Sequence, residues 1–499
     1  MSALLRSHLC AGIRAARPFG TGARTCYQVP QLPACDINPQ PYQGRVYDEL
    51  LALRRRHLPP WMITYYRQPL LLHQGRGQWL WDSTGKRYLD FFAGIVTVSV
   101  GHCHPRVTEA VKEQMARLWH STNVYLHPGI GSYVERLCAT LPPPLQVVYL
   151  VNSGSEANDL AMILSRVHTG NHNLITLRGA YHGTSYTTMG LTSISAWKFN
   201  AAISSGCHPV MCPDVYRGLW GGSKCRDSPV QTLRTCSCPS DQCQAREAYL
   251  AEFQEMLKST VPHQLAGFIA EPIQGVNGVV QYPRGYLREV SEIVRDRGGL
   301  YISDEVQTGF GRLGSHFWGF QSHGVMPDIV TMAKGIGNGF PMGAVVTTPE
   351  VAGSMSEAWN FNTFGGGPLA CAVGTAVLQV IEEEGLMEKA ESLGNDLMMQ
   401  LSDLRHDFTI VGDVRGKGLM VGIEMVVSKE SREPLPGLEM NEIWEDCRDM
   451  GLLLGKGGIH QQTFRLSPPM CITQEDINFA IRVLRQALER HTKRGRGPA

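Results

Sequence analysis

Between residues 301 and 339 the chain reads YISDEVQTGFGRLGSHFWGFQSHGVMPDIVTMAKGIGNG. Two short apolar runs, 300–303 and 328–333, stop abruptly, the first at Asp304-Glu305-Val306 and the second at Lys334. Runs this short, bounded by glycine-rich turns, read as buried parallel strands rather than helices. Parallel strands need helical cover on both faces, so this stretch commits the chain to an α/β architecture. Ligand chemistry in open sheets of that kind collects at the carboxyl ends of the strands. The Asp304 carboxylate and the Lys334 amine are therefore expected on one crevice, although thirty positions separate them.

The flanking sequence extends the pattern. A five-residue apolar strand at 147–151 runs into NSGSEAND and a helical stretch at 160–167. A strand, a glycine turn and a helix start make an anion cradle: the N–H groups of Gly154 and Ser155, the Ser155 hydroxyl and the helix dipole all favour a phosphate. The next strand, 174–177, leads to RGAYHGTS, where Tyr181 is placed to lie flat on a ligand ring and His182 reads as a structural hydrogen-bonding residue. Another strand, 266–270, ends in Glu271-Pro272-Ile273-Gln274-Gly275, and the helix after it, 286–297, closes on Gly298-Gly299. The run Gly335-Ile336-Gly337-Asn338-Gly339 imitates a dinucleotide loop, but it passes through Phe340-Pro341 into an apolar strand at 342–348. A dinucleotide loop must open a helix, so that reading fails. Asn362-Thr363-Phe364-Gly365-Gly366-Gly367 precedes a helix at 368–384 and offers a second set of phosphate donors, with the Thr363 hydroxyl among them. From 386 onward a helix, a strand pair across VGDVRGKGLMVGIEMV, a further helix, FRLSPPM and a capping box at Thr473 and Asp476 read as a smaller α+β unit.

Composition bounds the rest. The first 35 of 499 residues contain Arg6, Arg14, Arg17 and Arg24 and no acidic residue, the pattern of a mitochondrial presequence. The expected organisation is a presequence at 1–38, an N-terminal arm at 39–98 shared with a small domain, a large domain at 99–370 and a C-terminal small domain at 371–499. A net charge of +1 gives no bulk attraction to nucleic acid. No apolar run approaches the roughly 20 residues of a spanning helix, so a soluble chain without membrane contact is expected. Of fourteen cysteines, six (Cys207, Cys212, Cys225, Cys236, Cys238 and Cys243) fall in an insertion at about 205–245. They lack paired CxxC knuckles, and His102 with His104 lacks a third ligand, so reduced thiols rather than a metal are expected.

A lysine amine able to form a Schiff base, facing a carboxylate able to keep a pyridine nitrogen protonated, suits pyridoxal phosphate. In their order along 42–492, SGSEAN, AYHG, EPIQG, DEVQ, AKG and NTFGG resemble the class III aminotransferases, fold type I enzymes with a mostly parallel seven-stranded sheet between helices and a smaller α+β domain. The resemblance implies that Lys334 bonds the cofactor and shuttles a proton while Asp304 pairs with the ring nitrogen. It implies Val306 and Tyr181 on the ring faces, Gln307 near the ring hydroxyl, His182 and Glu271 beside the cofactor, and Gly154 and Ser155 on its phosphate. Thr363 would reach that phosphate from a neighbouring subunit, making a homodimer the minimal unit and a homotetramer the expected assembly. Arg465 would clamp a substrate carboxylate, for which a guanidinium is suited.

The members this chain resembles most imply ping-pong transfer from L-alanine to glyoxylate in the mitochondrial matrix. They also imply 3-aminoisobutyrate and methylated arginines as further donors. Relatives acting on ω-amines carry a glutamate where this chain has Val276, so Arg465 is expected to stay unpaired and ready for α-carboxylates. A decarboxylase or aminomutase on the same fold, or a binding protein built around the thiols, are the competing readings.

Overall fold

In a computed structural model of the protein, residues 29–201, 203, 205–239 and 242–495 are described. Most of the expected presequence, residues 1–28, lies outside them; of its remainder, Leu32, Cys35 and Ile37 pack against the main core.

Seven strands form the central sheet in the order Val147–Val151, Gly343–Thr347, Ile329–Met332, Leu300–Asp304, Gly267–Ala270, Leu174–Leu177, Cys207–Val210. The last five in this order are parallel, and Gly343–Thr347 runs antiparallel to both of its neighbours. Leu300–Asp304, Ile329–Met332, Gly267–Ala270 and Leu174–Leu177 are buried at every position, as strands covered on both faces must be. The helix Tyr286–Arg295 supplies part of that cover by burying Tyr286, Leu287, Val290 and Val294 along one stripe. Each such side chain contributes about 1.5–3 kcal/mol.

Register brings the functional strand ends together. Asp304 lies opposite Thr331, three residues before Lys334, and the turn after Gly267–Ala270 carries Glu271 to the same edge. Gly343 pairs with Val151, so the reversed strand brings residues 339–342 and the turn Asn152–Gly154 there as well. Glu305, fully buried, accepts from the N–H groups of Gly319 and Phe320 and from the hydroxyls of Ser303 and Thr308, and so fixes the long 305–320 loop.

Two four-stranded sheets complete the molecule. The C-terminal one runs Val411–Lys417, Met420–Met425, Thr463–Leu466, Gly455–Gly457, and the N-terminal one, Leu72–Arg76, Trp79–Asp82 and Arg87–Asp90, is finished by Leu452–Leu453 from the far end of the chain. The capping box at Thr473 and Asp476 opens the helix Gln474–Arg494. Among the described residues no helix is long and apolar enough to cross a membrane.

Candidate active site

At the carboxyl edge of the central sheet lies a cavity of about 340 Å³, within the span usual for small-molecule sites. Gly154, Ser155, Tyr181, His182, Glu271, Asp304, Val306, Gln307 and Lys334 line it, drawn from five separate segments.

Its anion-binding end follows from local sequence. Ser153 is the N-cap of the helix Gly154–Thr169, its hydroxyl accepting from Glu156 N–H at 3.2 Å. The helix thus begins six residues before the stretch that apolar spacing marks, because its first turn is polar and is set by the cap. The N–H groups of Gly154 and Ser155 have no acceptor among the described residues, and they point out of a helix N-terminus. A Cβ on Gly154 would sit 3.2 Å from both methyls of Val306, so glycine lets the helix end close on the loop after Asp304. Gly183, at φ +127°, lies over Ser155, where a Cβ would come within 2.5 Å of the serine hydroxyl.

Asp304 forms the opposite wall. Its Oδ2 accepts from Asn158 Nδ2 at 2.8 Å and meets His182 Nδ1 at 2.7 Å, and its Oδ1 accepts from Val306 N–H at 3.1 Å. All of this is buried, with Asp304 and His182 each 2% exposed. Asn158, which sequence reading passed over, also donates to the His182 carbonyl at 2.8 Å. Its signal was available: it stands four residues after Gly154, one helical turn along the same face. Tyr181 borders the cavity and packs edge-on against Trp197, with centroids 5.2 Å apart.

Lys334 has φ +51°, left-handed for a side-chain-bearing residue, and such backbone strain of about 1–3 kcal/mol persists only where its surroundings enforce it. Those surroundings are identifiable. Ser99 donates to the Gly335 carbonyl, and Asn338 bridges Val100 N–H and the Gly101 carbonyl. The Lys334 amine makes no hydrogen bond or ion pair among the described residues; burial, with Arg465 adding, brings its pKa down to about 8. Glu271 accepts from the N–H groups of Tyr181 and Gly275, and burial, with Asp304 adding, pushes its carboxyl up to about 7.

Arg465 sits in the strand Thr463–Leu466 between Gly422 and Gly455 of its two neighbours. A Cβ on Gly457 would lie 2.6 Å from its Cδ, so the glycine leaves a channel for the side chain. The guanidinium stands over the Phe92 ring at 5.3 Å and donates to Gln307 Oε1 at 2.6 Å, while burial pulls its pKa down to about 10. Gln307, expected near a ring hydroxyl, thus also links Arg465 to the cavity. Thr363 is exposed and does not line this cavity; its neighbour Asn362 is held by Asn152 and Glu156.

These residues fit pyridoxal phosphate: free N–H groups at a helix end, a braced buried carboxylate and an unpartnered amine face one space of suitable size.

Comparison with known proteins agrees. The family model for class-III aminotransferases matches residues 64–488. Human mitochondrial alanine–glyoxylate aminotransferase 2 is 58% identical over 93% of this chain and 91% of its own length. A mitochondrial alanine–glyoxylate aminotransferase 2 homolog from Arabidopsis thaliana is 43% identical over 91% of this chain and 90% of its own. Among solved structures, an Arthrobacter phospholyase in complex with phosphoethanolamine is 35% identical with a TM-score of 0.80, covering 88% of this chain and 99% of that one. An (S)-enantioselective omega-transaminase from Thermomicrobium roseum is 30% identical with a TM-score of 0.80, covering 90% and 100%.

Proposed function

From the premise that the chain belongs to the class III aminotransferases, we propose that it moves the amino group of L-alanine to glyoxylate, releasing pyruvate and glycine in two half-reactions. The protein is a pyridoxal-phosphate-dependent transaminase of fold type I. The cofactor, when bound, supplies the electron sink that lets an amino acid's α-hydrogen leave as a proton.

The chain's own residues divide the remaining work. Lys334 would hold the cofactor aldehyde through Nζ, and its buried amine, with a pKa brought down to about 8, is suited to take an amino acid's α-proton and return it elsewhere. Asp304, held by Asn158 and His182, would keep a proton on the ring nitrogen. Gly154 and Ser155 hold the phosphate at the helix end. Val306 and Tyr181, which line the cavity, would confine the ring, and Glu271 and Gln307 would border it. Arg465 receives the α-carboxylate of alanine, pyruvate or glyoxylate, for which Gln307 gives way. The observation that supports this assignment best is the convergence of Lys334 and Asp304 at adjacent parallel strand ends on one cavity.

We extend the proposal to a mitochondrial-matrix enzyme that also accepts 3-aminoisobutyrate and methylated arginines as donors. Its minimal unit is a homodimer, further paired into tetramers. Support for the dimer comes from aromatic side chains left exposed in two neighbouring segments, Trp119 and Tyr125 in one and Trp359, Phe361 and Phe364 in the other, joined by a His120–Phe364 ring contact. The test has two arms. Borohydride reduction of the holoenzyme should fix the cofactor on the peptide containing Lys334 and on no other. A screen of amino donors by cofactor absorbance should show conversion by alanine and reversal by glyoxylate. Conversion by ω-amines alone would overturn the substrate assignment.

A further inference from the structure

Residues 92–97 run from the Arg465 guanidinium to the Lys334 cavity in a backbone conformation that side chains disfavour. Ala93, Gly94, Ile95 and Val96 follow one another at φ +50°, +58°, +67° and +60°. Residues with a Cβ enter the left-handed region singly, and β-branched ones such as Ile95 and Val96 meet its steric penalty in full. Here the run makes a complete left-handed turn. Val96 N–H donates to the Phe92 carbonyl at 2.9 Å, and Thr97 N–H to the Ala93 carbonyl at 2.8 Å. Strain of this kind persists only where the surroundings enforce it.

The restraint starts at Asp90, which is 2% exposed. Its Oδ1 accepts from Phe92 N–H at 2.9 Å and from Ala93 N–H at 2.8 Å, the two groups that open the turn. Its Oδ2 meets His102 Nε2 at 2.8 Å, and His102 is itself fixed by backbone pairing with Gly77. Between Asp90 and Phe92, Phe91 is tied to Leu453 and to Ser467, two positions after Arg465. The turn then delivers a contact at each end. Before it, the Phe92 ring stacks on Tyr65, centroids 6.1 Å apart, and carries the Arg465 guanidinium at 5.3 Å. A Cβ on Gly455 would fall 2.1 Å from the Phe92 ring, so bare backbone makes room for it. After it, Thr97 lines the cavity beside Lys334, Ser99 donates to the Gly335 carbonyl, and Val100 N–H donates to Asn338.

We propose that Asp90, oriented by His102, is a positioning residue for the substrate carboxylate. It holds residues 92–97 left-handed and so keeps Phe92 beneath Arg465 while Thr97 stays on the Lys334 cavity. The role rests on the reading of Arg465 as the carboxylate site. Without the Asp90 carboxylate two N–H groups lose their acceptor, and Ala93, Ile95 and Val96 relax toward negative φ. Phe92 then shifts and the guanidinium loses its platform. The helix end at Ser153 and the Asn158–Asp304 contact lie outside the turn and stay as they are.

The test titrates propanoate, a carboxylate without an amino group, into full-length holoenzyme by calorimetry, beside KM and kcat for alanine. Asp90→Ala should bind propanoate about tenfold more weakly and raise KM about tenfold, the scale of a lost hydrogen bond to a charged group. The loss should fall on KM rather than kcat, and cofactor affinity should match the wild type. Asp90→Asn keeps an oxygen for both N–H groups and should lose less, about threefold. Adding Ala93→Gly to Asp90→Ala removes one left-handed penalty and should recover part of the propanoate affinity, which a general folding defect would not. His102→Ala leaves the carboxylate without its partner; it should weaken propanoate about threefold, and it carries the test should Asp90→Ala not fold. Arg465→Ala is the control and should lose propanoate binding. If it binds propanoate as the wild type does, the carboxylate site is misassigned and the proposal falls with it. If Arg465→Ala is weakened while Asp90→Ala and His102→Ala are not, or if their losses fall on cofactor affinity instead, the positioning role alone is overturned.

Discussion

Arg465 Nη2 donates to Gln307 Oε1 at 2.6 Å, and no carboxylate forms a salt bridge with this buried guanidinium among the described residues. A neutral amide leaves the whole positive charge available to an incoming carboxylate. Val276 stands close by, since its carbonyl and the Arg465 Cδ both crowd the space beside Gly457. Val276→Glu and Gln307→Glu would each put a permanent anion near the guanidinium. A buried charge-assisted hydrogen bond contributes about 1.5–3 kcal/mol, so KM for alanine should rise about 10- to 100-fold in each variant. Initial rates against alanine concentration check this, and an unchanged KM in both would reject a free Arg465 charge as the basis of α-carboxylate binding.

Glu271 should make stability fall with rising pH. Its carboxyl moves from 4.5 to about 7 on folding, through burial first, with His182 opposing and Asp304 adding. Between those values the folded chain holds the proton and the unfolded chain does not, so an acid raised this way destabilises progressively from below 4.5 to above 7. The wild-type protein should therefore lose on the order of 3 kcal/mol relative to Glu271→Gln across that window. Urea unfolding of both proteins at several pH values measures it, and parallel curves would show that Glu271 does not titrate there.

Strand ends were legible and registers were not. The apolar runs before Asp304 and Lys334 stop at polar residues, and a strand buried on both faces has no other way to end. Direction leaves no such mark: Gly343–Thr347 is as apolar as its parallel neighbours but runs against them. The edge strand Leu72–Arg76, whose sequence is LHQGR, shows no alternation because none of its residues is fully buried. Contacts between distant segments were hidden in the same way. Gln307 and Arg465 lie 158 positions apart, and only the folded C-terminal sheet brings them together.

Asn158, which lines the cavity beside Asp304, should matter to cofactor retention. It donates to Asp304 Oδ2 at 2.8 Å, so Asn158→Asp would set two carboxylates against each other in a buried space. Like charges that close share a proton, which raises the Asp304 carboxyl and weakens its hold on a protonated ring nitrogen. Turnover should fall about 100-fold and cofactor should dissociate about tenfold faster, a loss of roughly 1.4–3 kcal/mol. Asn158→Ala, which removes the donor without adding charge, should lose less. Gel filtration with absorbance of the retained cofactor separates the two, and equal losses would mean that charge is not the cause.

Thr363 makes the dimer proposal testable without solving an assembly. The residue is exposed and absent from the cavity lining of its own chain, while Asn362 beside it is pinned to Asn152 and Glu156 at the cavity's edge. The hydroxyl thus leaves the chain where a second copy could receive it. If Thr363 of the partner subunit completes each phosphate site, Lys334→Ala and Thr363→Val homodimers should both be impaired, the first abolished and the second binding cofactor about tenfold more weakly, the scale of one lost hydrogen bond to a charged group. Mixed dimers should regain tight cofactor binding in one site only. The site with a wild-type Lys334 has its own Thr363 replaced but faces the intact threonine of the Lys334→Ala subunit. Purification through two different affinity tags, followed by cofactor titration, reads this directly. Should the site carrying Lys334 in the mixed dimer bind as weakly as the Thr363→Val homodimer, the threonine serves its own chain and the shared-site arrangement is wrong.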